Sequence, residues 1–245
     1  MKKIKDTVKL YKGDCLEIMK DISDKSVDMI LCDLPYGTTK CRWDTIIPFE
    51  PLWNQYNRII KDNGAIVLFG TEPFSSYLRL SNIKNYRYDI IWEKPNNTNF
   101  MRLKKEIGKR HENISIFYKK QPTYNPQMVE GKPYKDNRTI RKSWEGVSNQ
   151  HIKKPINNNG TRYPGSIQKF CNVNRNTIHP TQKPVDLLEF LIKTYTNEGE
   201  LVLDNCMGSG STGVACLKSN RNFIGIEKDE KYFDIAYNRI NDYIK

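Results

Sequence analysis

The sequence is poor in the residues that hold metals and cross-links. It has three histidines and six cysteines in 245 residues, and no Cys-x-x-Cys pair. A zinc site has no ligand spacing to draw on, so no metal is expected. The scattered cysteines, at 15, 32, 41, 171, 206 and 216, read as reduced thiols. No apolar run approaches the roughly 18 residues of a membrane-spanning helix, so no membrane association is expected. Met1-Lys2-Lys3-Ile4-Lys5-Asp6 carries charge with no apolar core behind it. A secretory signal is therefore not expected, and the cytoplasm is the expected compartment. No internal repeat is present.

Acid is also short, and the shortage is local. There are 40 Lys/Arg against 28 Asp/Glu, a net charge of +12. Residues 94–175 hold 18 Lys/Arg and 5 Asp/Glu, whereas the rest of the chain holds 22 and 23. The whole excess thus lies in the middle third. That third also carries Tyr118, Tyr124, Tyr134, Trp144, Tyr163 and many asparagines. Basic side chains interleaved with aromatic and amide groups suit nucleic acid. A solvated basic insert, or a compositional bias toward lysine and asparagine, would give the same count.

What is present elsewhere is alternation of strand and helix patterns. Val8 to Tyr11 reads as a strand ended by Gly13-Asp14, and Cys15 to Met19 as a short helix. A strand is expected over 27–32. An amphipathic helix is expected from Pro48 to Lys61, with Leu52, Tyr56, Ile59 and Ile60 on one face, stopped by Asp62-Asn63-Gly64. Ala65 to Phe69 is apolar throughout, as in a central parallel strand. A helix over 74–82 and strands over 86–92 and 114–118 follow, with a basic, irregular stretch from Asn96 to Arg110. From Lys119 to Arg175 the pattern fades into prolines, glycines and asparagines. It returns at Pro184 with a helix presenting Leu187, Leu188, Leu191, Ile192 and Tyr195. Then come a strand at 201–203, a helix at 211–217, a strand at 223–226 and a last helix at 230–243. The expected fold class is α/β. A doubly wound sheet forms one domain over residues 1–245, with the basic region 119–175 inserted.

Two stretches carry chemistry. Asp33-Leu34-Pro35-Tyr36-Gly37 follows the strand at 27–32. Pro35 lacks an N–H and Gly37 tolerates positive φ, so the chain turns there. A carboxylate, a backbone carbonyl and an aromatic ring then project from the carboxyl end of a strand, where open α/β sheets bind ligands. The second stretch, Asp204 to Gly213, holds Gly-x-Gly-x-x-Gly between a strand and a helix. Glu227 ends the next strand, 14 residues after Gly213, where a carboxylate can accept both hydroxyls of a ribose. No Lys follows the last glycine, which rules out a P-loop. Asp204 beside a pyrophosphate would be repulsive, which disfavours a dinucleotide. A cofactor with adenosine at one end and a cationic amino group at the other fits better, and S-adenosylmethionine is such a molecule.

With these motifs in this order, the chain resembles the amino-group DNA methyltransferases in which the catalytic motif precedes the cofactor motif. Asp33-Leu34-Pro35-Tyr36 is similar to their Asp-Pro-Pro-Tyr motif, with Leu34 where the family usually has proline. Asp204 to Gly210 is similar to their glycine-rich cofactor loop. His179-Pro180-Thr181-Gln182-Lys183-Pro184 is similar to the segment before the first helix of their cofactor half, and Gly13-Asp14 to their adenine-side contact. The resemblance covers about residues 7–118 and 176–245.

It implies a Rossmann-like S-adenosylmethionine-dependent fold in which the insert recognises the target. It implies catalysis at Asp33, Leu34, Pro35 and Tyr36. Asp33 and the Leu34 carbonyl would accept the target amine, and Tyr36 would stack on a flipped base. Cofactor contacts are implied at Asp14, Thr181, Lys183, Asp204, Gly208, Gly210 and Glu227. Here Thr181 and Lys183 would meet the carboxylate, and the backbone at Gly208 and Gly210 would pass the methionine part. His179 is expected to be structural. Lys104, Lys105, Lys109 and Arg110 are expected to contact double-stranded DNA. Adenine N6 is the expected target, because Asp heads the catalytic motif; cytosine N4 is the alternative. Cytosine C5 is set aside for want of a Pro-Cys pair. A nicotinamide oxidoreductase would explain the glycines but not the Asp33 corner. A non-catalytic DNA-binding relative is disfavoured by the intact motifs. A homodimer and a cognate restriction endonuclease are candidate partners.

Overall fold

The computed structural model describes residues 2–38, 44–136, 156–171 and 182–244. Cys41, Trp144, His179 and Thr181 lie outside the described residues. The elements are β1 (Lys2–Lys5), β2 (Val8–Lys12), α1 (Cys15–Ile18), β3 (Val27–Cys32), α2 (Phe49–Ile59), β4 (Ile60–Gly70), α3 (Phe74–Ser81), β5 (Tyr86–Glu93) and β6 (His111–Phe117). They continue with β7 (Val129–Glu130), β8 (Tyr134–Asp136), β9 (Ile156–Asn158), β10 (Thr161–Arg162), β11 (Ile167–Lys169), α4 (Val185–Tyr195), β12 (Leu201–Asp204), α5 (Ser211–Lys218), β13 (Asn222–Glu227) and α6 (Glu230–Ile244).

The chain divides into two units, residues 1–125 with 166–245, and residues 126–165. The first is built on a mixed sheet in the order β1-β2-β13-β12-β3-β4-β6-β5-β11. The run from β2 through β13, β12, β3 and β4 is parallel. The β4–β6 and β6–β5 pairs are antiparallel.

Side-chain alternation builds a core on each face. Met29, Leu31, Ala65, Val67 and Phe69 point to the side covered by Leu187, Leu188, Leu191 and Ile192 of α4 and by Ala236 and Ile240 of α6. Ile30, Cys32, Ile66 and Leu68 point to the side covered by Leu52, Trp53, Tyr56 and Ile59 of α2 and by Phe74 and Leu78 of α3. Each large apolar side chain so buried contributes about 1.5–3 kcal/mol. The second unit holds two short antiparallel pairs, β7 with β10 and β8 with β9. They are joined by Gly131 N–H donating to the Gly160 carbonyl at 2.7 Å.

Three expectations need correction. Asp62-Asn63-Gly64 does not stop a helix, because α2 ends at Ile59 and these residues lie inside β4. Val27 pairs with Ile60 but Met29 with Ala65, so β4 accommodates the extra residues as a bulge. A Cβ at Gly64 would sit 2.8 Å from the Asp28 carbonyl, so the bulge needs glycine there. The lysine-rich N-terminus, read only as charge, is the edge strand β1, a place where lysines discourage further pairing. The faded middle region contributes β11, which extends the main sheet beside β5.

Candidate active site

The chain reverses its direction of travel across the sheet between β12 and β3. From β12 it proceeds through α5 to β13 on one side, and from β3 through α2 to β4 on the other. Ligands bind at the carboxyl ends of strands at such a switch point. Leu203 pairs with Ile30, so Asp204 and Asp33, a few residues on, emerge at the same rim. Asp14 after β2 and Glu227 at the end of β13 open onto it too. A cavity of about 560 Å³ joins them, lined by Asp14, Asp33, Pro35, Lys183, Asp204, Gly208 and Glu227 among others. That volume lies within the ~300–1,000 Å³ usual for small-molecule sites.

Each acid is held by its surroundings. Asp33 Oδ1 accepts from the Tyr36 hydroxyl at 2.5 Å, and Oδ2 pairs with the Lys183 ammonium. Burial and the charge of Glu112 outweigh Lys183 and keep the Asp33 carboxyl above the usual carboxylate range. The Tyr36 ring packs on Phe74 with centroids 5.0 Å apart. Gly37, at φ +67°, and Thr38 donate their N–H groups to the Asp44 carboxylate at 2.8 and 2.9 Å, fixing the corner from below. No described N–H donates to the Leu34 carbonyl.

In the glycine loop, Asp204 accepts from Cys206 N–H at 3.1 Å and from the Thr212 hydroxyl at 2.6 Å. Burial raises its pKa to about 6. Glu227 accepts from Gly208 N–H at 2.9 Å and Asp229 N–H at 2.8 Å, and burial raises its pKa as well. Asp14 caps α1 through Leu16 N–H at 3.0 Å and meets Lys228 at 3.1 Å. Burial of Asp14 is outweighed by these partners, so its pKa falls. Burial pushes the Cys32 thiol up to about 12, so it stays protonated at neutral pH.

Several site residues were not foreseen. The partners of Lys183 are among these: expected at the cofactor carboxylate, this lysine is 8 % exposed, and its ammonium lies between Asp33 and Glu112, the latter at 3.5 Å. Burial lowers its pKa, but the two carboxylates reverse this and raise it. Glu112 of β6 also takes the Lys94 ammonium. Burial works against the Glu112 carboxylate, but Lys183 and Lys94 hold its pKa below the ordinary value. Glu112 carries no motif; only the fold brings it to Asp33. Tyr56 of α2 donates to Asn205 Oδ1 at 2.5 Å, and Arg239 of α6 donates to the Ser209 carbonyl at 3.2 Å and the Ser211 hydroxyl at 2.9 Å, bracing the loop.

Gly210 does not belong to the cavity wall. It caps α5 with φ +77°, and a Cβ there would stand 3.0 Å from the Cβ of Ala236 on α6. Its left-handed backbone and its approach to α6 serve helix packing, whereas Gly208, Ser209 and Ser211 line the cavity. Of the basic quartet, Lys104, Lys105 and Arg110 are exposed, while the half-buried Lys109 places its ammonium on the Thr71 hydroxyl.

The cavity suits a ligand that is cationic and donates hydrogen bonds. Asp14, Asp33, Asp204, Glu227 and Asp229 outnumber its two lysines, and Gln182 keeps a buried side-chain oxygen with no hydrogen-bond partner.

A family model described as DNA methylase (N6_N4_Mtase) matches residues 27–238. The chain belongs to the N6/N4 DNA methylase family. It is 29% identical to the Type II methyltransferase M.BglII of Bacillus subtilis over 94% of this chain and 68% of that protein. It is 30% identical to the Type II methyltransferase M1.MboII of Moraxella bovis, over 93% of this chain and 94% of that protein. Among solved structures, the M1.HpyAVI–SAM complex superposes with a TM-score of 0.63 at 27% identity, over 95% of this chain and 99% of that one. The family's methyl donor is S-adenosylmethionine, the cofactor expected from the sequence. Its fold is the Rossmann-like methyltransferase sheet described above.

The position of Gly210 leads to a prediction. Gly210→Val combines overpacking against α6, about 1–3 kcal/mol, with a left-handed backbone that disfavours a branched side chain. The thermal midpoint is expected to fall, with cofactor affinity of the folded protein kept within a few-fold. Calorimetry and titration with S-adenosylmethionine check this; an unchanged midpoint with lost affinity would return Gly210 to the cavity wall.

Proposed function

We propose that this methyltransferase transfers a methyl group from S-adenosylmethionine to the N6 amino group of adenine, at a specific site in double-stranded DNA. The observation that carries the reading is one cavity whose wall includes Asp33 and Pro35 of the first motif together with Asp14, Gly208 and Glu227.

S-adenosylmethionine, when bound, supplies a methyl group on a positively charged sulfur. Glu227 holds the ribose with lone pairs left over from Gly208 and Asp229, and Asp14 meets the adenine. Gln182 and Asp204 face the ammonium end. Thr181 remains the candidate for the carboxylate. Lys183 is not free for that task, because Asp33 and Glu112 engage it.

The target amine is a weak nucleophile, its lone pair delocalised into the ring. Asp33 Oδ1 and the Leu34 carbonyl are two acceptors for its two N–H bonds, and together they draw the nitrogen toward tetrahedral geometry. Asp33 stabilises the positive charge that grows on nitrogen. Pro35 keeps the Leu34 carbonyl rigid, and Tyr36 faces the base. The amine is paired within the duplex, so the base is flipped out. Lys183 and Glu112 are positioning residues that fix the Asp33 carboxylate. Lys104, Lys105, Lys109 and Arg110 contact phosphates, and the unit 126–165, within the basic insert, reads the target. The Type II relatives support a restriction–modification setting with a cognate endonuclease, and a homodimer is part of the reading.

The deciding experiment is methylation of mixed-sequence genomic DNA followed by nucleoside mass analysis. N6-methyladenine is expected, and N4-methylcytosine would move the assignment to the alternative target. Asp33→Ala and Asp33→Asn should lower methyl transfer by roughly 10²–10³-fold or more with cofactor affinity little changed; retained activity would defeat the catalytic assignment.

Glu112→Gln tests the positioning role. Glu112 raises the Asp33 pKa by charge repulsion. Activity that needs ionised Asp33 is lost as pH falls through that pKa, so removing Glu112 should move the acid limb of the pH–rate profile to lower pH. Turnover should fall as well, by up to about 10²-fold, as Lys183 loses its second anchor. An unmoved acid limb would leave Glu112 a merely structural residue. Neutralising Lys104, Lys105, Lys109 and Arg110 together should weaken DNA binding and flatten its salt dependence, by about 0.9 in log–log slope for each phosphate no longer neutralised. An unchanged slope would remove them from the interface.

A further inference from the structure

The segment 94–110 joins β5 to β6, and its place follows from the two antiparallel pairings. Asn113 lies opposite Gly70 at the carboxyl end of β4, and Glu93 lies opposite His111. The segment therefore leaves and re-enters the sheet at the rim where β3 delivers Asp33. Its base is well tied. Thr98 N–H donates to the Lys109 carbonyl at 2.8 Å, Lys109 N–H to Asn99 Oδ1 at 2.7 Å, and Asn99 Nδ2 to Glu106 Oε1 at 2.9 Å.

Its tip is apolar and uncovered. Phe100 is 71%, Met101 85% and Ile107 95% exposed. Scattered exposed apolar groups are ordinary, but four large ones, these three and Leu103, on one short tied turn form a surface made for a partner. The charge of the turn says which partner. On the exposed turn Arg102, Lys104 and Lys105 stand against the single acid Glu106, which pairs with Arg102 at 3.2 Å, and Arg110 is exposed at its base. A second copy would bring the same basic tip against itself, like charge on like. A polyanion with an apolar interior is the complementary surface, and stacked base pairs between phosphates are one.

We propose that the turn 100–107 is a DNA wedge. Phe100, Met101 and Ile107 enter the duplex beside the target base and occupy the space opened when it leaves the stack, while Arg102, Lys104 and Lys105 neutralise flanking phosphates. Apolar side chains that part base steps work this way in other DNA-bending proteins. The proposal rests on the base-flipping reading above and adds the element that makes room for it.

The test uses the full chain with Phe100→Ser, Met101→Ser and Ile107→Ser combined, and Met101→Ser alone. Two duplexes carry the site mapped by sequencing methylated genomic DNA. One is fully paired; the other has an abasic nucleotide opposite the target, so that the target is already unpaired and flipping costs little. The wedge predicts a fall in kcat/KM of roughly tenfold or more on the paired duplex, and near wild-type rates on the abasic one. Equal losses on both duplexes, or a changed oligomeric state with unchanged DNA selectivity, would overturn it. If the triple variant fails to fold, the ratio between the two duplexes for Met101→Ser decides in the same way. Absence of methyl transfer by the wild-type chain on either duplex would strike the proposed function itself.

Discussion

A lysine ammonium taken out of water holds the Asp33 end of this site in place. Lys183 reaches from the start of α4 across the sheet rim to Asp33, with Glu112 behind it and Lys94 behind that. Each charge is neutralised by the next, so a row that would be costly singly becomes tolerable together. The row also ties three regions that are distant in sequence: the corner after β3, the outer strands β5 and β6, and the first helix of the cofactor half. Removing Lys183 leaves Asp33, and removing Glu112 leaves Lys94, without its opposite charge, the costly half of the asymmetry that governs such networks. The face of Phe69, 5.2 Å from the ammonium, closes the remaining side.

Much of this was legible in the chain itself. Continuous apolar runs mark β3, β4 and β12, and the five apolar residues expected on one face of α4 are all buried, with Thr194 beside them. The two motifs were legible because they are local: an acid, a proline and a glycine dictate a corner, and spaced glycines dictate a turn. Glu112 was not legible. It sits in an ordinary strand pattern, and its contact with Lys183 exists only because β6 inserts between β4 and β5 in the reverse direction. Lys183 was visible as a site residue, but its partners were not, since Asp33 and Glu112 reach it only through the fold. For Gly210 the close approach to α6 was not legible for a related reason. Its positive φ was foreseeable, but the spacing does not say whether the missing side chain makes room for a ligand or for Ala236. β1 and β11 escaped notice because short, charged edge strands bury almost nothing.

The glycine loop divides its labour along its length. Gly208 offers its N–H to Glu227 at the cavity, Gly210 turns the chain into α5, and Gly213 lets that helix approach Phe223 and Ile240, where a Cβ would stand 2.5 Å from the Ile240 side chain. Arg239 and Tyr56 brace it from opposite faces of the sheet. The loop's shape is thus set by packing on both sides.

Under the proposed function, the hydroxyl that Tyr36 donates to Asp33 has a consequence for substrate choice. The carboxylate at rest already holds a donor of its own, so an arriving amine replaces a phenol proton instead of a loosely held water. An N–H competitor must be better aligned than an internal rival that enters at almost no entropic cost. Small amines that diffuse in lack the ring that would secure them while the exchange takes place. A planar base brings alignment and stacking at once. Under that reading the corner is an exchange lock, closed by its own tyrosine and opened by a nucleobase.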